Sequence, residues 1–220
     1  DVWSDDNPSP YFIENRTLLK KWLLEAELPE GVDVRVGRWD IPGRPIVILV
    51  KFDGMYAVKD EFYGRMWQLY GVDSLHAYGD YDEACSFSHA AGIVAKSLFS
   101  FYKAHGLVSD RQKPRFISHY DEWTTGMGLL YIKAECPEAA TVFTTHATSI
   151  GRSICGNGKP LYDRLPYYNG DQMARELNME SKHSLEKAAA LQADCFTTVS
   201  EVTARECGQL LGRRPDIVTP

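Results

Sequence analysis

The most regular hydrophobic pattern in the chain covers about residues 81–104. Apolar residues recur there at alternating steps of three and four, which predicts one face of a long α-helix. They are Ala84, Phe87, Ala91, Val94, Leu98 and Phe101. His105-Gly106 is a typical C-terminal stop, and Asp80 with Glu83 predicts a capping box at the start.

The part of the chain before this helix mixes other patterns. After an irregular first dozen residues, apolar spacing predicts a helix over about 14–27. Residues 32–36 alternate at period two, which indicates a half-exposed strand near a sheet edge. The continuous apolar run at 46–52 predicts a strand covered on both faces, and a helix is expected over about 58–70.

The part after the helix alternates strand with helix. The predicted strands are 115–118, 141–145, 195–199 and 216–218. The helices between them are expected after Trp123, at 149–155, at 180–192 and from a Ser200 cap to about 211, with a loop over 156–172. This alternation predicts an α/β, Rossmann-like fold with a mainly parallel sheet and helices on both faces. No linker divides the chain, so residues 1–220 are expected to form a single lobe.

Composition excludes several classes of protein. The formal net charge of −6 argues against nucleic acid as a partner, because phosphate binding needs a basic surface. No apolar stretch approaches the roughly 20 residues of a membrane span. The five cysteines form no CxxC pair, and reduced thiols in a cytoplasmic protein are expected. The start at Asp1 has neither Met nor a leader pattern and suggests a cut inside a longer protein, truncated at both ends.

Candidate chemistry collects where the predicted strands end. Ligands of open α/β sheets bind at the carboxyl ends of the strands, so polar residues there are candidates for a site. These residues are His119, Asp121, Glu122, His146, Thr148, Arg152 and Ser200.

Common catalytic motifs are missing. The chain has no phosphate-loop spacing, no G-x-G-x-x-G after a strand and no G-x-S-x-G elbow. Its His and Cys residues show no metal-ligand spacing, so no metal is expected. The DxD sequence at 80–82 is interpreted as the cap of the long helix.

Longer blocks at the same strand ends resemble a known family. Residues 141–152 read T-V-F-T-T-H-A-T-S-I-G-R and are similar to a block of the glycogen synthases of the animal and fungal type. Residues 193–204 and 213–220 resemble two further blocks of that family, and 119–123 matches its H-x-H-E-W motif more loosely. The resemblance is dense from about residue 115 onward.

This resemblance implies a GT-B glycosyltransferase with two Rossmann-like lobes. The family moves glucose from UDP-glucose to the end of an α-1,4-glucan with retention, without a metal or other cofactor. The chain would be the N-terminal, acceptor-side lobe, and the donor-binding lobe with its paired glutamates would be absent. Nucleotide sugar and α-glucan are therefore the expected partners, the fragment alone is expected to be inactive, and a homo-oligomer is a candidate state of the whole protein.

The resemblance also suggests roles for single residues. Asp121 stands where the family has the second His of its motif, and it is expected with His146 near the transferred glucose. Arg152 and the start of the helix after His146 would face the diphosphate. Tyr78 and Glu83 would contact the glucan acceptor. The other predicted substrate contacts are His119, Glu122, Thr148 and Ser200.

Two alternatives remain open at this point. One is a related nucleotide-sugar transferase with another acceptor, which donor competition between UDP-glucose and ADP-glucose would distinguish. The other is a non-catalytic glucan-binding or interaction module, which is favoured if the complete gene encodes no second lobe.

Overall fold

The computed structural model describes residues 9–106 and 116–219 of the chain. The lead-in prediction for the first eight residues and the predicted strand start at Arg115 lie outside these ranges. No helix in the described ranges is both long enough and apolar enough to cross a membrane.

A small antiparallel sheet forms the N-terminal part. Its strands β1 (Phe12–Glu14), β2 (Asp33–Trp39) and β3 (Ile46–Lys51) pair in that order. The prediction that β2 lies near an edge is wrong, because β1 and β3 pair on either side of it. The prediction that β3 is covered on both faces is also wrong, since β3 is an outer strand and all its residues are at least partly exposed.

The helix predicted over 14–27 is much shorter. Residues up to Glu14 belong to β1, and α1 spans only Lys20–Glu25. The Asn15 side chain accepts a hydrogen bond from the Thr17 backbone N–H at 3.0 Å, a local turn that competes with helix. Leu19 then has φ 52°, a left-handed conformation that interrupts helical hydrogen bonding immediately before α1.

Two helices follow β3. A 3₁₀ turn at Asp53–Val58 leads into α2 (Lys59–Tyr70), and α3 spans Tyr81–Ala104 as predicted. Gly106, at φ 69°, follows the end of α3. The capping box is wrong, because the Asp80 carboxylate makes no cap hydrogen bond and instead pairs with Lys182 at 2.6 Å.

The buried face of α3 differs from the predicted apolar stripe. Phe87 is 39% exposed, whereas Ser88, His89 and Gly92 are buried. The Ser88 hydroxyl donates to the Thr125 backbone oxygen at 2.7 Å and accepts the Gly128 N–H at 2.7 Å. Close helix approach therefore selects small and hydrogen-bonded residues at positions where periodicity alone predicts apolar ones.

A parallel sheet forms the C-terminal part. Its strands are β4 (Ile117–Asp121), β5 (Ala140–Thr145), β6 (Cys195–Thr198) and β7 (Ile217–Val218), paired in that order. The connecting helices are α4 (Gly126–Glu135), α5 (Ser149–Gly156), α6 (Leu161–Arg164), α7 (Gly170–Glu176), α8 (Glu180–Gln192) and α9 (Glu201–Leu210). A parallel sheet flanked by helices confirms the predicted α/β, Rossmann-like class.

Two boundaries in this part differ from the prediction. The predicted loop 156–172 contains α6 and the start of α7, because Leu161 and Met173 pack with Ile150 and Ile154 of α5 in a small second core. Strand β4 continues to Asp121, so His119 lies within the strand instead of after it.

The two faces of the parallel sheet differ in cover. Phe143 and Phe196 are fully buried in the main core, which also includes residues of α3 and α4. On the other face, His119 is exposed and Val142 and Cys195 are partly exposed. Asp121 lies two residues after His119 on β4 and shares this more open face, because side chains two residues apart on a strand point to the same side.

Replacing Gly128 with Ala should destabilise the fold by about 2 kcal/mol, the usual scale of overpacking. An added Cβ would lie 2.5 Å from the Ser88 backbone oxygen, so α3 and α4 would have to separate. Gly64 in α2 is the matched control, since nothing lies within 4 Å of an added Cβ there. Urea unfolding should show G64A gaining about 0.5–1 kcal/mol from helix propensity. Equal effects of the two substitutions would contradict the packing described here.

Candidate active site

The ends of β4 and β5 bring titratable side chains together at one edge of the parallel sheet. Asp121 ends β4, and His146 directly follows β5. Their side chains meet, with 3.0 Å between His146 Nε2 and Asp121 Oδ1. The side chains of His146 and Asp121 are 49% and 60% exposed, so the pair faces solvent. We call Asp121, Glu122, His146 and Arg152 the strand-end cluster.

Glu122 links the members of this cluster. Its Oε1 accepts hydrogen bonds from the His146 backbone N–H at 2.9 Å and from the Arg152 guanidinium at 3.3 Å. Arg152 itself is 60% exposed, which leaves most of its positive charge open to solvent. One carboxylate thus orients both the loop after β5 and the cation on α5.

The backbone of Glu122 is strained. Its φ of 64° and ψ of 168° fall in a region that residues other than glycine rarely adopt. Two neighbours hold it there, since the Glu122 N–H donates to the Thr144 carbonyl at 2.8 Å and the Glu122 carbonyl accepts the Thr125 N–H at 3.1 Å. Backbone strain of this kind costs about 1–3 kcal/mol and occurs preferentially at functional sites.

Ser200 approaches the cluster only indirectly. Its hydroxyl accepts the Thr203 N–H at 3.1 Å, which confirms the predicted cap of α9. Thr203 Oγ1 in turn donates to the His146 carbonyl at 3.4 Å. Ser200 therefore supports the loop that carries His146 through Thr203.

Two buried glutamates lie behind the same loop. Glu186 of α8 is fully buried and accepts hydrogen bonds from Thr145 Oγ1 and from the Ser149 N–H, both at 2.7 Å. Burial raises the pKa of the Glu186 carboxyl to about 7, although these hydrogen bonds act in the opposite direction. Glu206 of α9, 2% exposed, accepts the Thr148 N–H at 2.9 Å and the Thr148 hydroxyl at 2.5 Å.

These contacts correct two predictions. Two of the first three N–H groups of α5 are already bonded, Ser149 N–H to Glu186 and Gly151 N–H to the Thr148 hydroxyl, so the start of this helix has few free donors for a diphosphate. Thr148 is fully buried, so its side chain is not placed to contact a substrate. It caps α5 instead.

The remaining predicted residues lie around the cluster. His119 is exposed on β4, and its Nε2 lies 2.7 Å from Thr144 Oγ1 on β5. Glu83 is exposed on the first turn of α3. Tyr78 is 53% exposed and donates to the sulfur of Met179 at 3.3 Å.

Lys182 lies between the rings of Tyr78 and Trp123, and Trp123 directly follows Glu122. Its Nζ lies 4.6 Å from the centre of the Trp123 ring and 5.6 Å from the centre of the Tyr78 ring. Trp123 also stacks on Tyr81 with 6.0 Å between ring centres. These contacts tie the start of α3 to the end of β4, although no polar contact joins Tyr78 or Glu83 to the strand-end cluster among the described residues.

Sequence reasoning missed Glu186, Glu206 and Lys182. The signal in the sequence was a glutamate among apolar residues of a predicted helix, since Glu186 lies between Leu185 and the run Ala188, Ala189 and Ala190 on α8. Glutamate is rarely buried without partners, so its place on an apolar helix face indicates a specific contact. Which atoms it contacts depends on the tertiary fold.

Acidic and His side chains in the described ranges form no group of three or more that could hold a metal ion. The five cysteines, all in these ranges, are free thiols. The strand-end cluster offers the exposed carboxylate of Asp121, the partly buried carboxylate of Glu122, an imidazole and a guanidinium.

Comparison with known proteins gives one consistent result. The family model described as glycogen synthase matches residues 13–220. Glycogen [starch] synthase isoform 1 of Saccharomyces cerevisiae is 31% identical over 219 residues, which are 99% of this chain and 29% of that protein.

Relatives from other organisms agree. Glycogen [starch] synthase of Neurospora crassa is 32% identical over 200 residues, covering 91% of this chain and 27% of that protein. The liver glycogen [starch] synthase of Rattus norvegicus is 32% identical over 197 residues, covering 90% of this chain and 27% of that protein. The chain thus spans less than a third of the length of these curated relatives.

The E122G variant should be more stable to unfolding than the E122A variant by about 1 kcal/mol or more. Both variants lose the Glu122 side chain, but only glycine relieves the backbone strain. Glu83, exposed on helix α3, is the control. At that site urea unfolding should show alanine the more stable by about 1 kcal/mol. The same ranking at both positions would show that Glu122 is unstrained.

Replacing Glu186 with Gln should stabilise the protein increasingly as pH rises. Because the pKa of Glu186 rises from 4.5 to about 7 on folding, the native state binds the extra proton, and the stability of the wild type falls over this pH range. A shift of this size corresponds to about 3 kcal/mol. The free energy of unfolding of E186Q minus that of the wild type should increase by up to this amount from pH 4.5 to above 7. A difference as flat as that of the exposed control E83Q would refute the prediction.

Proposed function

Because the chain belongs to the glycogen synthase family, we propose that the whole protein transfers glucose from UDP-glucose to the non-reducing end of an α-1,4-glucan with retention. The observation that carries this proposal is the strand-end cluster. Asp121, Glu122, His146 and Arg152 meet at the carboxyl edge of the parallel sheet, on the segments that match the family blocks. Open α/β sheets bind their ligands at this edge.

In this proposal Asp121 and His146 face the transferred glucose. Retaining transfer builds positive charge on the sugar ring as the bond to the diphosphate breaks. The exposed Asp121 carboxylate accepts hydrogen bonds from sugar hydroxyls and stabilises that charge. His146 lies 3.0 Å from the same carboxylate and is positioned to contact the same sugar.

Arg152 supplies positive charge next to this site. It is the exposed cation of the cluster, held by Glu122 at 3.3 Å, and it attracts the negative diphosphate. Since the Ser149 and Gly151 amides of α5 are already bonded, most contacts to the diphosphate are proposed to come from a second lobe. This part of the proposal follows the resemblance, which assigns most donor contacts to that lobe.

Tyr78 and Glu83 at the start of α3 remain proposed contacts of the glucan acceptor. His119 and Ser200 are proposed to border the sugar site, His119 on β4 and Ser200 at the start of α9. The cytoplasmic location and the homo-oligomeric state of the whole protein stay predictions, as does the absence of nucleic acid among its partners.

The test of the proposal uses the whole protein encoded by the gene and measures the transfer of labelled glucose from UDP-glucose to glycogen. Unlabelled UDP-glucose should compete for transfer and ADP-glucose should not. The D121N variant should lower kcat at least tenfold, because the amide keeps the shape of Asp121 but loses its charge. The matched control is D163N, on the exposed surface of α6. Residues 1–220 alone should transfer no measurable glucose.

Each other outcome has a meaning. Preference for ADP-glucose or for another acceptor would favour a different nucleotide-sugar transferase. Glycogen binding without transfer by the whole protein would favour a non-catalytic glucan-binding module. Normal transfer by D121N would remove Asp121 from the proposed mechanism.

A further inference from the structure

The loop between β5 and α5 is held by three carboxylates from three separate parts of the chain. Glu122, after β4, accepts the His146 N–H, and Glu206 of α9 accepts the Thr148 N–H. Glu186 of α8 accepts the Ser149 N–H and also the Thr145 hydroxyl at the other end of the loop. The loop residues 145–149 are therefore bonded to carboxylates at both ends and in the middle.

Helix capping alone does not explain the two buried glutamates. Thr148 already caps α5 through the Gly151 N–H, and such a hydroxyl cap is sufficient for most helices. Burying a carboxylate is unfavourable unless hydrogen bonds compensate, and both Glu186 and Glu206 are buried with their hydrogen bonds directed at this loop. Two buried carboxylates behind one short loop indicate that the position of the loop matters.

The residue that depends on this position is His146. Its ring is half exposed, and Asp121, also exposed, is its side-chain hydrogen-bond partner. An exposed contact between two side chains restrains them only weakly, so the place of the imidazole is set mainly by its backbone. That backbone belongs to the loop that the three carboxylates hold.

We propose that Glu186 and Glu206 are positioning residues that hold the loop 145–149 and thereby fix His146 against Asp121 for glucose transfer. The proposal rests on the function proposed above, since it concerns the role of His146 in that reaction. Neither glutamate touches substrate, because both are buried behind the loop. They act through Thr145, Thr148 and Ser149.

Variants of Glu186 separate this role from general stability. Leu has a similar size and makes no hydrogen bond, so E186L releases both loop contacts. Gln keeps an acceptor for the Ser149 N–H, and its amide N–H can donate to Thr145 Oγ1, whose own proton then turns toward the Ala147 carbonyl 3.4 Å away. E186Q should therefore rescue what E186L loses.

The test measures kinetics and amide exchange on the whole protein. E186L should lower kcat at least tenfold with KM for UDP-glucose within about twofold, and E186Q should stay within about threefold of the wild-type kcat. E206L should behave like E186L. The control I132A removes a fully buried side chain of α4 away from the loop and should leave kcat unchanged despite its loss of stability.

Hydrogen–deuterium exchange of peptides covering residues 144–150 gives a readout independent of activity. Exchange should be faster in E186L than in the wild type, E186Q or I132A. Unchanged exchange in E186L, or faster exchange with a normal kcat, would overturn the positioning role. If the wild-type protein transfers no glucose, the proposed function fails, and the exchange result still decides whether the glutamates hold the loop.

Discussion

The arrangement of the candidate site depends on how the backbone amides after β5 are satisfied. A chain that leaves a buried strand and enters a helix has several N–H groups without partners in either element. In this protein carboxylates supply the acceptors, with Glu122 on His146, Glu206 on Thr148 and Glu186 on Ser149. Because these glutamates come from separate parts of the chain, the loop takes its place only when β4, α8 and α9 have packed.

The same constraint explains the charge of the site. The Glu186 carboxylate and the Thr148 hydroxyl accept the Ser149 and Gly151 N–H groups, so the helix start that the sequence suggested as an anion site keeps few free donors. Arg152 remains as the exposed cation, and it too is held by Glu122. The strand-end cluster therefore exposes an imidazole and a carboxylate, with few free backbone donors beside them. This division is the basis for proposing that a second lobe binds most of the donor.

The sequence predicts the elements of this fold better than their contacts. The bounds of α3 and the order of the parallel strands follow from the sequence pattern, although β4 runs three residues further than predicted, and the Ser200 cap follows from local chemistry. Periodicity does not predict the buried face of α3. Ser88 and Gly92 are buried because α3 approaches α4 closely at these positions. The left-handed Leu19 and the strained Glu122 carry no sign in their residue types. The roles of Glu186 and Glu206 depend on partners at least 37 residues away along the chain, which no local pattern shows.

The end of β4 and the start of the loop after β5 are proposed to face the transferred sugar. A crystal structure of the whole protein with a non-transferable UDP-glucose analogue and a short maltooligosaccharide measures this directly. We expect a glucose hydroxyl within hydrogen-bond distance, about 3 Å, of Asp121 or His146, with Arg152 on the diphosphate side. A glucose bound elsewhere, with both side chains facing only solvent, would contradict it.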